Sequence, residues 1–205
     1  MENSNNIQLT EDQRDCLQEI SNVAMGQAGD NLARLLDAFV ILSIPHVDVL
    51  SSNDISMALQ TLQNSSTVSG VCQGFIGGGI AGEAMLIFND ASFTDLARLL
   101  KYEGAIDDHA QHELLMDAAS VLTGACLKGI AEQLDIELSY SAPMLLGQHV
   151  NLSDLLDNTN RLWKQALVIE INYRIENHHV NCDLLLILTE DSVNRLFTKI
   201  DCLLA

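Results

Sequence analysis

Asp15, Glu19 and Asn22 are spaced four and then three residues apart in the segment DCLQEISNVAMG, residues 15–26. At about 100° per residue, that spacing places all three side chains on one face of a helix. Carboxylates accept hydrogen bonds and pair with cations, whereas an amide accepts through its oxygen and donates through its nitrogen. A plain solvated helix face would also carry two acids and an amide. It would not favour Asn, a middling helix former, or glycine, which costs about 1 kcal/mol relative to Ala. Gly26, one turn beyond Asn22, and Gly29 beside it leave the backbone bare for the close approach of a partner.

The arrangement recurs. The chain has two prolines, Pro45 and Pro143, and sliding the sequence by their separation brings Asp15 onto Glu113, Glu19 onto Asp117, Asn22 onto Ser120 and Gly26 onto Gly124. Leu17, Val23, Ala33, Leu36, Asp37 and Ser43 are also repeated identically. Farther on the offset drifts to 100, where MLIFNDASFTDLARLL (85–100) lies over LLILTEDSVNRLFTKI (185–200). Recurrence of both spacing and element order points to a tandem duplication. The chain then reads as a single domain, 1–205, of two repeats at about 10–103 and 109–205.

The elements that must hold these residues follow from pattern. Each repeat opens with a long helix, about 10–36 and about 109–134, and runs extended into its proline, because a residue before proline avoids the helical region. Poorly patterned stretches with some helical character follow at about 50–65 and 147–161. Two strand-like runs in each half, TVSGVCQGFIG with GEAMLIF and QALVIEINYRI with VNCDLLLIL, are hairpin candidates. GGG at 77–79 then reads as the turn between strands rather than a phosphate loop, since no helix follows it. Capping residues in NDASF (89–93) and TEDSV (189–193) announce a closing helix in each half. EGAIDD at 103–108 is the linker. On the first helix Leu17, Ile20, Ala24, Ala28, Leu32 and Leu35 form the arc that packs on the sheet, which turns Asp15, Glu19, Asn22 and Gly26 to solvent. The fold class is α/β.

Composition narrows the function. The formal charge is −18, with no basic run, so nucleic acid and anionic membrane surfaces are poor partners. The polar N-terminus MENSNNIQLTEDQ is unlike a signal peptide, and the longest unbroken apolar runs, such as LLLIL at 184–188, are too short to span a bilayer. A cytoplasmic location is expected. Cys16, Cys72, Cys126, Cys182 and Cys202 never form a CxxC and read as small buried hydrophobes. His109 with His112, and His178 with His179, lack a second ligand pair and read as solvated loop residues, so no metal site is expected.

The string Asp15-x3-Glu19-x2-Asn22-x22-Pro45 resembles the signature [DS]-x3-E-x2-N-x22-P of the CheC/CheX/FliY phosphatases of bacterial chemotaxis. Two copies in about 200 residues are closest to the CheC pattern. The resemblance implies a pseudo-twofold α/β fold in which two long helices lie side by side on β-sheet. It implies hydrolysis of the aspartyl phosphate on a CheY-type response regulator, with Asn22 orienting the attacking water and Glu19 pairing with the lysine beside the phosphoaspartate. Asp15 and Gly26 would be docking positions. Magnesium would belong to the regulator, leaving this chain without a cofactor of its own, and CheD is a further possible partner. The second copy departs from the signature: Asp117 is one methylene shorter than Glu and Ser120 lacks the amide, so Glu113, Asp117 and Ser120 read as a degenerate site. The competing reading is a non-catalytic CheC-like adaptor that binds a regulator or CheD. A structural piece of the flagellar switch is disfavoured because no further domain follows residue 205.

Overall fold

Thr10 starts the first long helix. Its hydroxyl accepts from the Gln13 amide N–H, and the Gln13 side chain accepts in return from the Thr10 N–H, a closed capping box. The computed structural model describes residues 7–51, 54, 67–157 and 165–204. That helix, α1 (Glu11–Leu36), leads into β1 (Val40–Leu42), β2 (His46–Ser51) and the hairpin β3 (Val68–Gly77) and β4 (Ile80–Asn89). A short turn brings the chain into α2 (Phe93–Leu99). The second long helix, α3 (Asp108–Gln133), is followed by β5 (Ser139–Tyr140), β6 (Met144–Val150) and α4 (Leu152–Asp157). A second hairpin, β7 (Gln165–Ile175) with β8 (Asn181–Thr189), and the helix α5 (Glu190–Leu204) close the described chain.

The expected helices and hairpins form where the patterns place them, and Gly78 and Gly79, both at positive φ, make the β3–β4 turn. Two readings change. Residues 50–51 and 147–150, assigned to poorly patterned stretches, belong to β2 and β6; 52–53, 55–66 and 158–164 lie outside the described residues. These strands escaped detection because they alternate weakly: HVDVLS and MLLGQHV bury few side chains, and β6 is bulged against β3.

The eight described strands form one antiparallel sheet in the order β1-β7-β8-β4-β3-β5, with β2 also on β7 and β6 also on β3. Each half therefore donates its short strands to the other half's hairpin. Leu42 faces Tyr173 while Tyr140 faces Phe75, the same pair displaced by 98 residues. Ser43 and Asn172 exchange two bonds of 3.0 Å, Ser43 N–H to the Asn172 carbonyl and Asn172 N–H to the Ser43 hydroxyl. Ser141 and Gly74 exchange the same two, each 2.9 Å. At the centre, β4 and β8 pair with Met85 opposite Leu185. The sheet thus has an approximate twofold axis between these two residues. Asp37 and Asp135, equivalent under the same displacement, both leave their long helix in the left-handed region, at φ 50° and 49°.

β8 shows why LLLIL is continuous rather than alternating. Leu184, Leu186 and Leu188 face a large core beneath α1, α2, α3 and α5, whereas Leu185 and Ile187 face a smaller one capped by Leu152 and Leu155 of α4. Both faces of a central strand are dry. Unbroken apolar runs are also a poor guide to α3, whose mean hydropathy reaches 1.4 over 18 residues and which is long and apolar enough, by length and composition, to cross a membrane. Here that apolar surface is spent on the core: Leu114, Leu115, Leu122, Cys126 and Leu127 are buried in it.

α1 and α3 run antiparallel and touch closely at Gly129, where a Cβ atom would stand 2.8 Å from both Cα and Cβ of Ala24. Five residues away on the same helix, a Cβ on Gly124 would meet nothing within 4 Å. The same substitution should therefore have opposite signs. Gly124→Ala should stabilise by up to about 1 kcal/mol through helix propensity. Gly129→Ala should destabilise by about 1–3 kcal/mol because backbone must move. Denaturant midpoints check both; equal shifts would show that α1 and α3 do not meet there.

Candidate functional site

Asp15, Glu19, Asn22 and Gly26 are all exposed on the outer face of α1. The opposite arc is in the core: Leu17, Ile20, Ala24, Ala28 and Leu32 are buried, while the side chain of Leu35 lies outside the described residues. Burial of that arc sets the rotation of the helix, and two bonds accompany it. The Gln18 side-chain amide donates to the carbonyl of buried Pro45 over 3.2 Å, and Arg14 reaches Asp48 of β2 over 3.4 Å. Gln13 ties the first turn to Asp201 of α5 at 2.9 Å. Sequence reasoning missed all three positions. The signal was present in the fixed gap between Asn22 and Pro45, which is the length of chain needed to finish α1, turn through β1 and come back alongside Gln18.

Among the described residues, none of Asp15, Glu19 and Asn22 has a side-chain hydrogen bond or ion-pair partner. A Cβ on Gly26 would meet nothing within 4 Å, whereas Gly29, expected to be bare as well, is buried against β1, where a Cβ would stand 2.8 Å from Leu42 Cδ1. The face is therefore two free carboxylates and a free amide in successive turns, with Cβ atoms about 5–6 Å apart, next to uncovered backbone. Ile44, adjacent to Pro45, is 84% exposed and adds an isolated apolar side chain beside the Gln18 clasp. A surface of this kind can accept a cation, hold a small polar reactant between the amide and a partner's groups, and let a second protein come close at the glycine.

The second copy is differently disposed. Glu113, Asp117 and Ser120 are exposed on α3. Glu113 lies 3.7 Å from His109, and the Ser120 hydroxyl donates back to the Met116 carbonyl at 2.8 Å, a bond within its own helix. Asp117 and Ser120 border an apolar cavity rather than bare helix.

The histidines and cysteines fall partly outside expectation. His109 and His112 lie on the first turns of α3, not in a loop. His178 and His179 occupy the β7–β8 turn, where the His179 backbone N–H donates to Asp95 at 2.8 Å. That bond holds the Asp95 carboxyl below its ordinary range. Cys72, Cys126 and Cys182 are buried as expected, but Cys16 is half-buried and Cys202 exposed, since α5 runs on past the core at its end. Burial pushes the Cys72 and Cys126 thiols up to about 12, which leaves them unreactive. Among the described residues no three His, Cys, Asp or Glu side chains converge as a metal site.

No family model and no curated protein sequence matches the chain. Solved structures do. FliY of Thermotoga maritima superposes with a TM-score of 0.70 at 20% identity, covering 95% of this chain and 98% of that one. The FliM middle domain of H. pylori gives 0.61 at 14% identity, covering 93% and 99%. CheX in the CheX–CheY–BeF3–Mg2+ complex of Borrelia burgdorferi gives 0.51 at 13% identity, covering 84% and 97%. With its long helices packed on one curled antiparallel sheet, the chain has the fold of the CheC/CheX/FliY chemotaxis proteins.

Proposed function

We propose that this chain is a phosphatase that hydrolyses the aspartyl phosphate of a CheY-type response regulator, working from the α1 face. The observation that carries the reading is an unpartnered Asn22 one turn from an unpartnered Glu19, on a helix seated by its buried apolar arc and clasped by Gln18. A solved structure of the same fold is a CheX–CheY complex with BeF3 and Mg2+, which supports a regulator as the partner here.

Hydrolysis breaks the bond between phosphorus and the regulator's carboxylate oxygen as water forms a new one, and the water's proton ends on the released phosphate. Positioning and charge stabilisation supply most of the acceleration in phosphoryl transfer. Asn22 would accept a hydrogen bond from the attacking water through Oδ1 and donate to a phosphoryl oxygen through Nδ2. Glu19 would pair with the regulator's lysine and fix α1 in its cleft. Asp15 is a docking contact and Gly26 a point of close approach. The magnesium belongs to the phosphorylated substrate, and this chain contributes no metal or cofactor. The reaction would take place in the cytoplasm.

The second reading is a non-catalytic CheC-like adaptor for a regulator or for CheD. The observation favouring it is α3, where Ser120 is spent on its own helix and the amide is missing. On the present reading the Glu113, Asp117 and Ser120 copy is silent and α1 carries the activity.

Asn22→Ala should separate function from fold. Removing one positioned polar group should cost about 10²–10³ in rate, while exchange of an unpartnered mid-helix Asn for Ala should raise stability by roughly 0.5 kcal/mol. Retention of more than half the wild-type phosphate-release rate would remove Asn22 from the mechanism. Glu19→Ala should act chiefly on docking and lower kcat/KM at subsaturating regulator; unchanged kinetics there would count against the anchor. In an Asn22→Ala background, Asp117→Glu with Ser120→Asn should restore measurable hydrolysis and change stability by less than about 0.5 kcal/mol. No recovery from this folded variant would show that α3 has lost docking as well as chemistry.

A further inference from the structure

The cavity bordered by Asp117 and Ser120 has a volume of about 310 Å³ and apolar walls supplied by α1, α2, α3 and strands β4, β7 and β8. Its twofold equivalent, against Leu17 and Ile20 of α1, is nearly closed at about 30 Å³. Seven of the fourteen positions that line the larger space have their repeat equivalents around the smaller one, so one half of the molecule serves as a partial control for the other. Ala118 stands where the first half has Ile20 and Val180 where it has Ile80, while Ala38, the counterpart of Ile136, lies off the lining. Each exchange shortens a side chain and so widens the space. Protein interiors are packed to crystal-like density with few voids larger than water. An apolar space of this size, opened in one half alone, is the kind of volume that small-molecule sites occupy.

A buried polar group stands behind the wall of the space, sealed from it. Tyr173 lines the cavity at the position that Phe75 holds in the closed half. Its hydroxyl is fully buried and has no hydrogen bond of ordinary geometry among the described residues, only the soft Cys126 thiol beside it. Buried hydroxyls are normally satisfied. At the mouth stands the exposed Asp117 carboxylate, and no described lining residue is basic. The chain's charge of −18 reinforces the same sign.

We propose that this cavity is a binding site for a small amphiphilic amine, with the apolar body between α1 and α3 and the protonated nitrogen at Asp117. The inference does not rest on hydrolysis at α1. In it, the second copy has exchanged a bare acid–amide face for a pocket.

The test is calorimetric titration of the full chain with octylamine, 1-octanol and octanoate, which share a tail and differ in head-group charge. Octylamine should bind saturably at one per chain, octanol more weakly and octanoate not at all. Ala118→Ile, which installs the residue of the closed half, should weaken octylamine by about tenfold or more; Val180→Ile, as at Ile80, is the second variant should the first fail to fold. Asp117→Asn should bring octylamine to within about fivefold of octanol or closer. Absence of saturable octylamine binding would overturn the proposal, as would octanoate binding as tightly as octylamine. Octylamine affinity unchanged in the filled variant would place any binding elsewhere on the acidic surface and equally overturn it.

Discussion

Each half of this molecule completes the other's sheet. β1 and β2 add to the β7–β8 hairpin, β5 and β6 add to β3–β4, and the two hairpins join between β4 and β8. The reciprocal bonds of Ser43 with Asn172 and of Ser141 with Gly74 lock the exchange at both edges. Neither half has a finished sheet of its own, so the long helices have no core to pack on until both halves are in place. The route of β1 into Pro45 also delivers the carbonyl that Gln18 grips, beside the sheet on which the apolar arc of α1 packs and so turns Asp15, Glu19 and Asn22 outward. The presentation of the candidate site is in this sense a consequence of strand exchange.

The same twofold framework explains why two related helices present such different surfaces. α1 keeps its acids and amide free and its interior side filled, with Ile20, Ile80 and Ile136 closing the space beneath. α3 has a serine bonded to its own backbone, an acid at the rim of a cavity, and smaller side chains below. An unpartnered asparagine in mid-helix lowers stability for no structural return. That is the pattern expected where a surface is kept for a partner rather than for folding.

Much of this was legible in residue spacing. The amphipathic arc of α1 and the exposure of its polar face followed from a period of 3.6 residues, and the hairpins followed from β-branched runs parted by turn residues. The offset of 98 recurs in the registers Leu42–Tyr173 and Tyr140–Phe75, and the offset of 100 in the Met85–Leu185 pair. What stayed hidden depended on tertiary contact. β2 and β6 are strands because β7 and β3 offer them edges, not because their own patterns demand it. His109 and His112 read as solvated loop residues although the expected helix already opens at about 109; the Asp107 cap, which accepts from the Ala110 N–H at 2.9 Å, starts the helix before them. Gln18 and Arg14 carry no motif, and their role appears only once Pro45 and Asp48 are beside them. The cavity under Asp117 could not be read at all without matching Ala118 and Val180 to their counterparts across the axis.

The most direct test of the central claim is the rate of inorganic phosphate release from several purified, phosphorylated CheY-type regulators, in magnesium, with and without a catalytic amount of this chain. A phosphatase working from the α1 face gives multiple-turnover acceleration over the regulator's own decay for at least one regulator, in proportion to the amount of chain added. Regulators that bind the chain yet decay at their intrinsic rate would contradict it and leave the α1 face as a docking surface alone.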